Sequence, residues 1–242
     1  MKYRALILFM GAMNTGAAFA GVADYVYTPT VVNGEREIDF KYGSARQKDG
    51  TQARVTSLGF GYGASDSWFT EVYLKRESVD SDKLTIAEWE NKFQLTETGK
   101  YPVDFGLITE FEAPTSNANE PYEFKFGPLL QTEFGKVQLN GNLLFERKFG
   151  RGAGAPTEFG YQWQAKYRWK TALDFGVQGI GELGKWDDWV KQDQQFHRIG
   201  PAVFGKIGLG NRQVIQYNAA WLIGTSNAAP DHTFRMQVEY EF

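Results

Sequence analysis

Apolar residues occupy every second position at the end of this chain: Phe234, Met236, Val238, Tyr240 and Phe242 alternate with Thr233, Arg235, Gln237, Glu239 and Glu241. Successive side chains of a strand point to opposite faces, so this segment has one oily face and one ionic face. The same rhythm recurs back to residue 35. Ile38, Phe40 and Tyr42 alternate with Glu37, Asp39 and Lys41, and Phe159, Tyr161, Trp163, Ala165, Tyr167 and Trp169 alternate with Gln162, Gln164, Lys166 and Arg168. Strands are expected over 35–46, 51–63, 68–78, 84–96, 103–111, 122–134, 137–149, 157–169, 172–184, 195–209, 213–224 and 233–242, about twelve in all.

The connections alternate in length. Those near 47, 80, 115, 152, 189 and 228 read as generally longer, and those near 65, 99, 135, 170 and 211 as generally shorter. A soluble sandwich accounts for the alternating faces but gives no reason for that rhythm through so many hairpins. Phe126-Gly127-Pro128-Leu129-Leu130 and Ile199-Gly200-Pro201-Ala202-Val203 echo each other. Proline cannot donate to a ladder, so Pro128 and Pro201 are expected at bulges or bends.

At the other end, Lys2 and Arg4 precede a short apolar run and the small-residue site Ala18-Phe19-Ala20. This pattern predicts a cleaved signal peptide over 1–20 with Gly21 as the first mature residue. A membrane anchor is the bland alternative, but the apolar run is too short and is broken by Asn14 and Thr15. Residues 21–34 form an N-terminal extension, expected on the periplasmic side or in the mouth of the folded region, which covers 35–242.

Without the leader the chain carries 24 basic against 29 acidic residues and no basic run, so nucleic acid is not an expected partner. Cysteine is absent, excluding disulfides and thiolate metal sites. After the leader no stretch of about 18 apolar residues would make a transmembrane helix. Aromatic residues are nevertheless 16% of the chain.

An alternating last strand closed by a terminal Phe resembles the outer-membrane β-barrels of Gram-negative bacteria. The resemblance implies an all-β, closed, antiparallel up-and-down transmembrane barrel in the cell outer membrane. It further implies that Tyr240 and Phe242 carry the signal read by the barrel insertion machinery. Outer-membrane lipid and lipopolysaccharide are then the expected surroundings.

In such a barrel the ionic face lines an enclosed interior. The expected lining includes Glu71, Lys75, Glu88, Glu90, Lys92, Glu110, Glu146, Lys166, Arg168, Arg198, Arg235 and Glu239. Twelve strands lie between the filled eight-stranded barrels and the open sixteen-stranded porins, so strand number leaves two readings open. One is a narrow passage for small neutral or cationic solutes, favoured over anions by the acidic surplus and the lack of an inward arginine run. The other is a closed structural or partner-binding barrel, blocked by charge pairs or by residues 21–34.

A lipid hydrolase or deacylase is a weaker alternative. It would use His197 or His232, the latter beside Asp231 and near Ser226. Neither sits in a transferable motif, and a loop histidine beside an aspartate is more often a solvated surface residue. No catalytic residue, metal site or cofactor is therefore assigned.

Overall fold

The structure is a computed structural model describing residues 21–150 and 153–242; the leader expected at 1–20 lies outside the described residues. Twelve strands follow in order: β1 (Arg36–Arg46), β2 (Gln52–Ser65), β3 (Trp68–Val79), β4 (Asp82–Gln94), β5 (Asp104–Pro114), β6 (Tyr122–Phe134), β7 (Val137–Phe149), β8 (Glu158–Lys170), β9 (Leu173–Lys185), β10 (Phe196–Gly210), β11 (Gln213–Gly224) and β12 (His232–Glu241). Each pairs antiparallel with its sequence neighbours, and β1 pairs with β12 from Glu37↔Glu241 to Arg46↔His232, closing the barrel. Closure satisfies both sheet edges, which a strand structure surrounded by hydrocarbon requires.

The two faces sort as the alternation predicts. In β1 and β2, Glu37, Asp39, Lys41 and Ser57 are buried inside, while Ile38, Phe40, Leu58 and Phe60 stand on the outer surface. Among the described strand residues the outward positions carry no carboxylate. Aromatic side chains cluster outside near both ends. Trp68 stacks on Phe93 at one end, and Phe111, Tyr122 and Phe149 meet at the other with ring centroids 5.8 to 6.0 Å apart. Such rings suit the boundary between hydrocarbon and water.

Loop lengths depart from the expected rhythm at two places. Asp80 and Ser81 alone join β3 to β4, with Asp80 at φ 50°, where a longer connection was expected. Residues 95–103 form a long connection where a short turn was expected. Asp104 explains part of the second: its carboxylate accepts from the Gly99 N–H at 2.8 Å, fixing the extra residues as a compact loop.

The Gly-Pro pairs mark bends rather than bulges. The β6–β7 ladder lapses between Phe126↔Phe145 and Leu129↔Asn142, and the β10–β11 ladder lapses between Ile199↔Ile223 and Ala202↔Ala220. The residue count is the same on both strands, so nothing is inserted. Pro128 and Pro201 keep register with Leu107 and Val177 on their other sides. A Cβ on Gly127 would lie 1.8 Å from the Leu143 carbonyl oxygen, and one on Gly200 would lie 1.9 Å from that of Trp221. Only glycine lets the neighbouring backbone come that close.

Candidate functional site

Residues 21–34 do not stay at the mouth. They thread the barrel interior without regular secondary structure, from Val22 against Ala45, Ala53 and Val55 near the long-loop end to Gly34, whose N–H donates to the Gly63 carbonyl at the turn end. The wall is shaped to receive them. Inward positions that a wholly polar lumen would leave hydrophilic are apolar: Ile108, Leu129 and Leu144 pack around Tyr27, and Val55 packs against Val22 and Ala23. Fully burying one valine-sized side chain stabilises by about 1.5–3 kcal/mol, which favours docking over solvation of the segment. Inward glycines complete the seat. A Cβ at Gly43 would lie 2.3 Å from the Val22 carbonyl oxygen, and one at Gly63 would lie 1.9 Å from that of Val32.

Polar contacts fix the plug further. Tyr25 donates to Glu90 at 3.1 Å, Tyr27 donates to Glu110 at 2.9 Å, and the Val31 N–H donates to the Gln94 amide oxygen at 2.8 Å. Asn142 donates to the Tyr27 carbonyl at 3.2 Å, and the Lys41 ammonium sits over the Tyr25 and Tyr73 rings. Hydroxyl donors to carboxylates are charge-assisted bonds, about twice as strong as neutral ones.

The lining residues named from the sequence project inward. Lys75 bridges Glu77 at 3.5 Å and Glu88 at 3.4 Å and also contacts Glu112; Lys125 pairs with Glu110 at 2.9 Å. Lys41 lies 3.9 Å from Glu90, and Glu71 is buried beside it across the β3–β4 ladder. Glu146 lines a small void with Lys125 and Glu182. Lys92 rests on the Phe69 ring and Lys166 on the Phe204 ring. Arg168 pairs with Glu133 and donates to Gln138, and Arg198 stacks on Phe196 and donates to Thr233. Glu239 accepts from Gln237 at 2.7 Å. Glu88, Glu110 and Glu112 approach within 4.8 Å of one another, a grouping invisible in the sequence, with Lys75 and Lys125 bound to its members.

Sequence reasoning missed an amide belt. Gln138 and Asn140 donate to Gln131, Gln164 donates to Asn140, and Gln178 donates to Gln164 at 2.9 to 3.0 Å. Arg235 then donates to Gln178 and Asn218, Asn218 donates to Gln237, and Gln237 donates to Asp39, which also accepts from Tyr73 at 2.7 Å. This chain of bonds follows most of the circumference. Its only sequence signal is the run of uncharged inward Gln and Asn, and parity alone does not show which of those amides meet across neighbouring strands.

The plug divides the interior unequally. Toward the turn end lies a cavity of about 700 Å³ that reaches Lys170 and Thr171. Its charged lining is mixed, with Glu35, Glu37, Glu71, Glu90, Asp174 and Glu239 beside Lys92, Lys166, Arg168 and Lys206. Burial at this mouth, reinforced by Glu241, raises the Glu35 carboxyl above its ordinary range, against opposition from Lys92 and Lys206. Toward the loop end the interior narrows to voids of about 30 Å³, each room for roughly one water.

The histidines lie outside this interior. Both ring nitrogens of His197 are engaged at 2.9 Å, with the Tyr161 hydroxyl and the Gln195 amide oxygen, while Ser226 Oγ accepts from the His197 backbone N–H. Ser226 therefore faces the backbone and not the ring. His232 packs beside Trp221, ring centroids 5.6 Å apart.

A closed, twelve-stranded antiparallel barrel, apolar outside and ionic inside, is the architecture of outer-membrane β-barrel proteins. Comparison with solved structures agrees. An outer-membrane channel from Pseudomonas putida F1 superposes with a TM-score of 0.55 at 15% identity, covering 90% of this chain and 97% of that one. The NanC porin superposes with a TM-score of 0.51 at 12% identity, covering 86% and 98%. These likenesses show the fold. No protein-family model and no curated protein sequence matches the chain.

Proposed function

We propose that the protein is an outer-membrane channel for small neutral or cationic solutes, held narrow at rest by residues 21–34, with the turn end facing the periplasm. The observation that carries this reading is the cavity of about 700 Å³ leading from the turn end to a plug seated by its own side chains. Carboxylates outnumber cations among the buried charges. A passage opened along that wall would favour cations over anions. The solved channel and porin of the same architecture lend the fold a precedent. The long loops then face outward, and Tyr240 and Phe242, whose rings stack at 5.5 Å on the outer surface, act as the C-terminal insertion signal.

Planar-bilayer recording tests the proposal. The native chain should give small currents, and a variant with Tyr25→Ala and Tyr27→Ala should give larger, cation-selective ones. If well-folded protein with the plug loosened carries no current, the channel reading fails. The amide belt and ion pairs favour one rival, a closed barrel with a structural role, and that same silence is what it predicts.

A further inference from the structure

Every charge that the described strands place on the outward face is basic. Arg36 stands at the turn end, and Arg46, Arg54, Arg76, Lys83 and Arg147 stand toward the loop end. Four of these are contiguous. Ser44↔Arg54 with Arg46↔Gln52, then Arg54↔Ser78 with Thr56↔Arg76, then Ser78↔Lys83 with Thr85↔Arg76, make each cation the diagonal neighbour of the next across β1, β2, β3 and β4. Diagonal neighbours lie about 7–8 Å apart, a span over which two cations can hold one phosphate. All four are exposed, and none forms an ion pair among the described residues. The loop carboxylates Asp49 and Asp80 are tied to the backbone N–H groups of Thr51 and Gln52.

The patch also cuts into the apolar surface. Outward positions stay almost wholly apolar along β6 from Phe134 to Tyr122 and wholly so along β8 from Trp169 to Phe159. On β2 and β3 they become polar or charged beyond Leu58 and Leu74, at Thr56, Arg54 and Arg76. An arginine facing lipid costs about 2–4 kcal/mol at the midplane and near zero at the interface. None of these cations has a carboxylate partner among the described residues, Arg54 donating only to the Gln52 amide oxygen at 2.8 Å, so an anionic lipid headgroup at the loop-end interface would complement their charge.

We propose that this sector of β1–β4 binds the phosphate groups of an outer-leaflet glycolipid. Phosphate would bridge Arg46 with Arg54 and Arg54 with Arg76, while the acyl chains lie along Leu58, Phe60 and Leu74. The orientation rests on the function proposed above, in which the loop end faces outward. The site itself does not depend on conductance.

The full-length barrel in detergent, probed by native mass spectrometry with bisphosphorylated lipid A, tests the site. At about 1 kcal/mol per basic residue near the surface, the variant R46Q/R54Q/R76Q should retain the lipid roughly a hundredfold less well. Arg36→Gln should retain it unchanged. A heat-modifiability gel establishes that the triple variant is folded; if it is not, Arg54→Gln alone should lower retention several-fold. Equal retention by the folded variants overturns the proposal. So does equal retention of dephosphorylated lipid A, which would leave only apolar contact, or competition by inorganic phosphate alone at the same affinity, which would indicate a free-anion site. Labelling of a Ser226→Cys variant on intact cells by an impermeant reagent tests the orientation separately.

Discussion

Lys75 shows what a single side chain does inside this barrel. Its ammonium is mostly buried and bridges Glu88 and Glu112. Breaking a buried pair by removing one partner leaves an uncompensated charge and costs about 3–5 kcal/mol. Lys75→Met should therefore lower the midpoint of heat-induced unfolding in detergent, and Glu112→Gln added to it should recover part of the loss. If Lys75→Met unfolds with the wild type, the cluster is hydrated and not a structural clasp. Glu35 gives the opposite sign. Its folded-state carboxyl titrates above its unfolded value, so the folded state is favoured while the group is protonated and loses ground as pH rises through that interval. The advantage of Glu35→Gln over wild type should be small at acidic pH and grow toward neutral pH. Equal stability at every pH would show that the mouth is more solvated than its geometry indicates.

At the scale of elements, the plug and the wall glycines fit each other's shape. Gly63→Leu would drive a side chain into the Val32 carbonyl, so the plug and not the barrel should yield. We expect faster proteolysis within residues 21–34, an unchanged heat-modifiable barrel and larger bilayer currents. Unaltered proteolysis would mean that the wall shifts instead. Gly200→Ala tests the bend: its Cβ would meet the Trp221 carbonyl oxygen, and the variant should assemble poorly in a way that Gly208→Ala, with open space around it, does not. The strands themselves were legible in the sequence because lipid-facing and interior positions differ so sharply in chemistry. The loop at 95–103 was not, since its length depends on Asp104 capping Gly99, a contact with no periodic signal.

For the whole molecule, assembly and the proposed passage can be tested separately. Phe242→Ala leaves the interior untouched and should reduce the amount of barrel reaching the membrane without changing the conductance of protein refolded in vitro; full assembly of the variant would remove the signal role from that ring. The two-residue alternation by itself determined the strand count and the inside and outside of each strand; closure followed only with the resemblance of the last strand to outer-membrane barrels, because an open sheet edge has no partner in hydrocarbon. Parity also placed Glu71, Glu88, Glu110 and Arg235 on the interior face. What parity could not give is which polar groups meet, since partners such as Tyr27 and Glu110 or Gln237 and Asp39 lie far apart in the chain and are joined only by the threading of residues 21–34 and by the β1–β12 pairing that closes the barrel. Nor could it send residues 21–34 inside. They have no alternation of their own, and their place follows from inward Ile108, Leu129, Leu144 and Val55, which form an apolar seat only once the cylinder has closed.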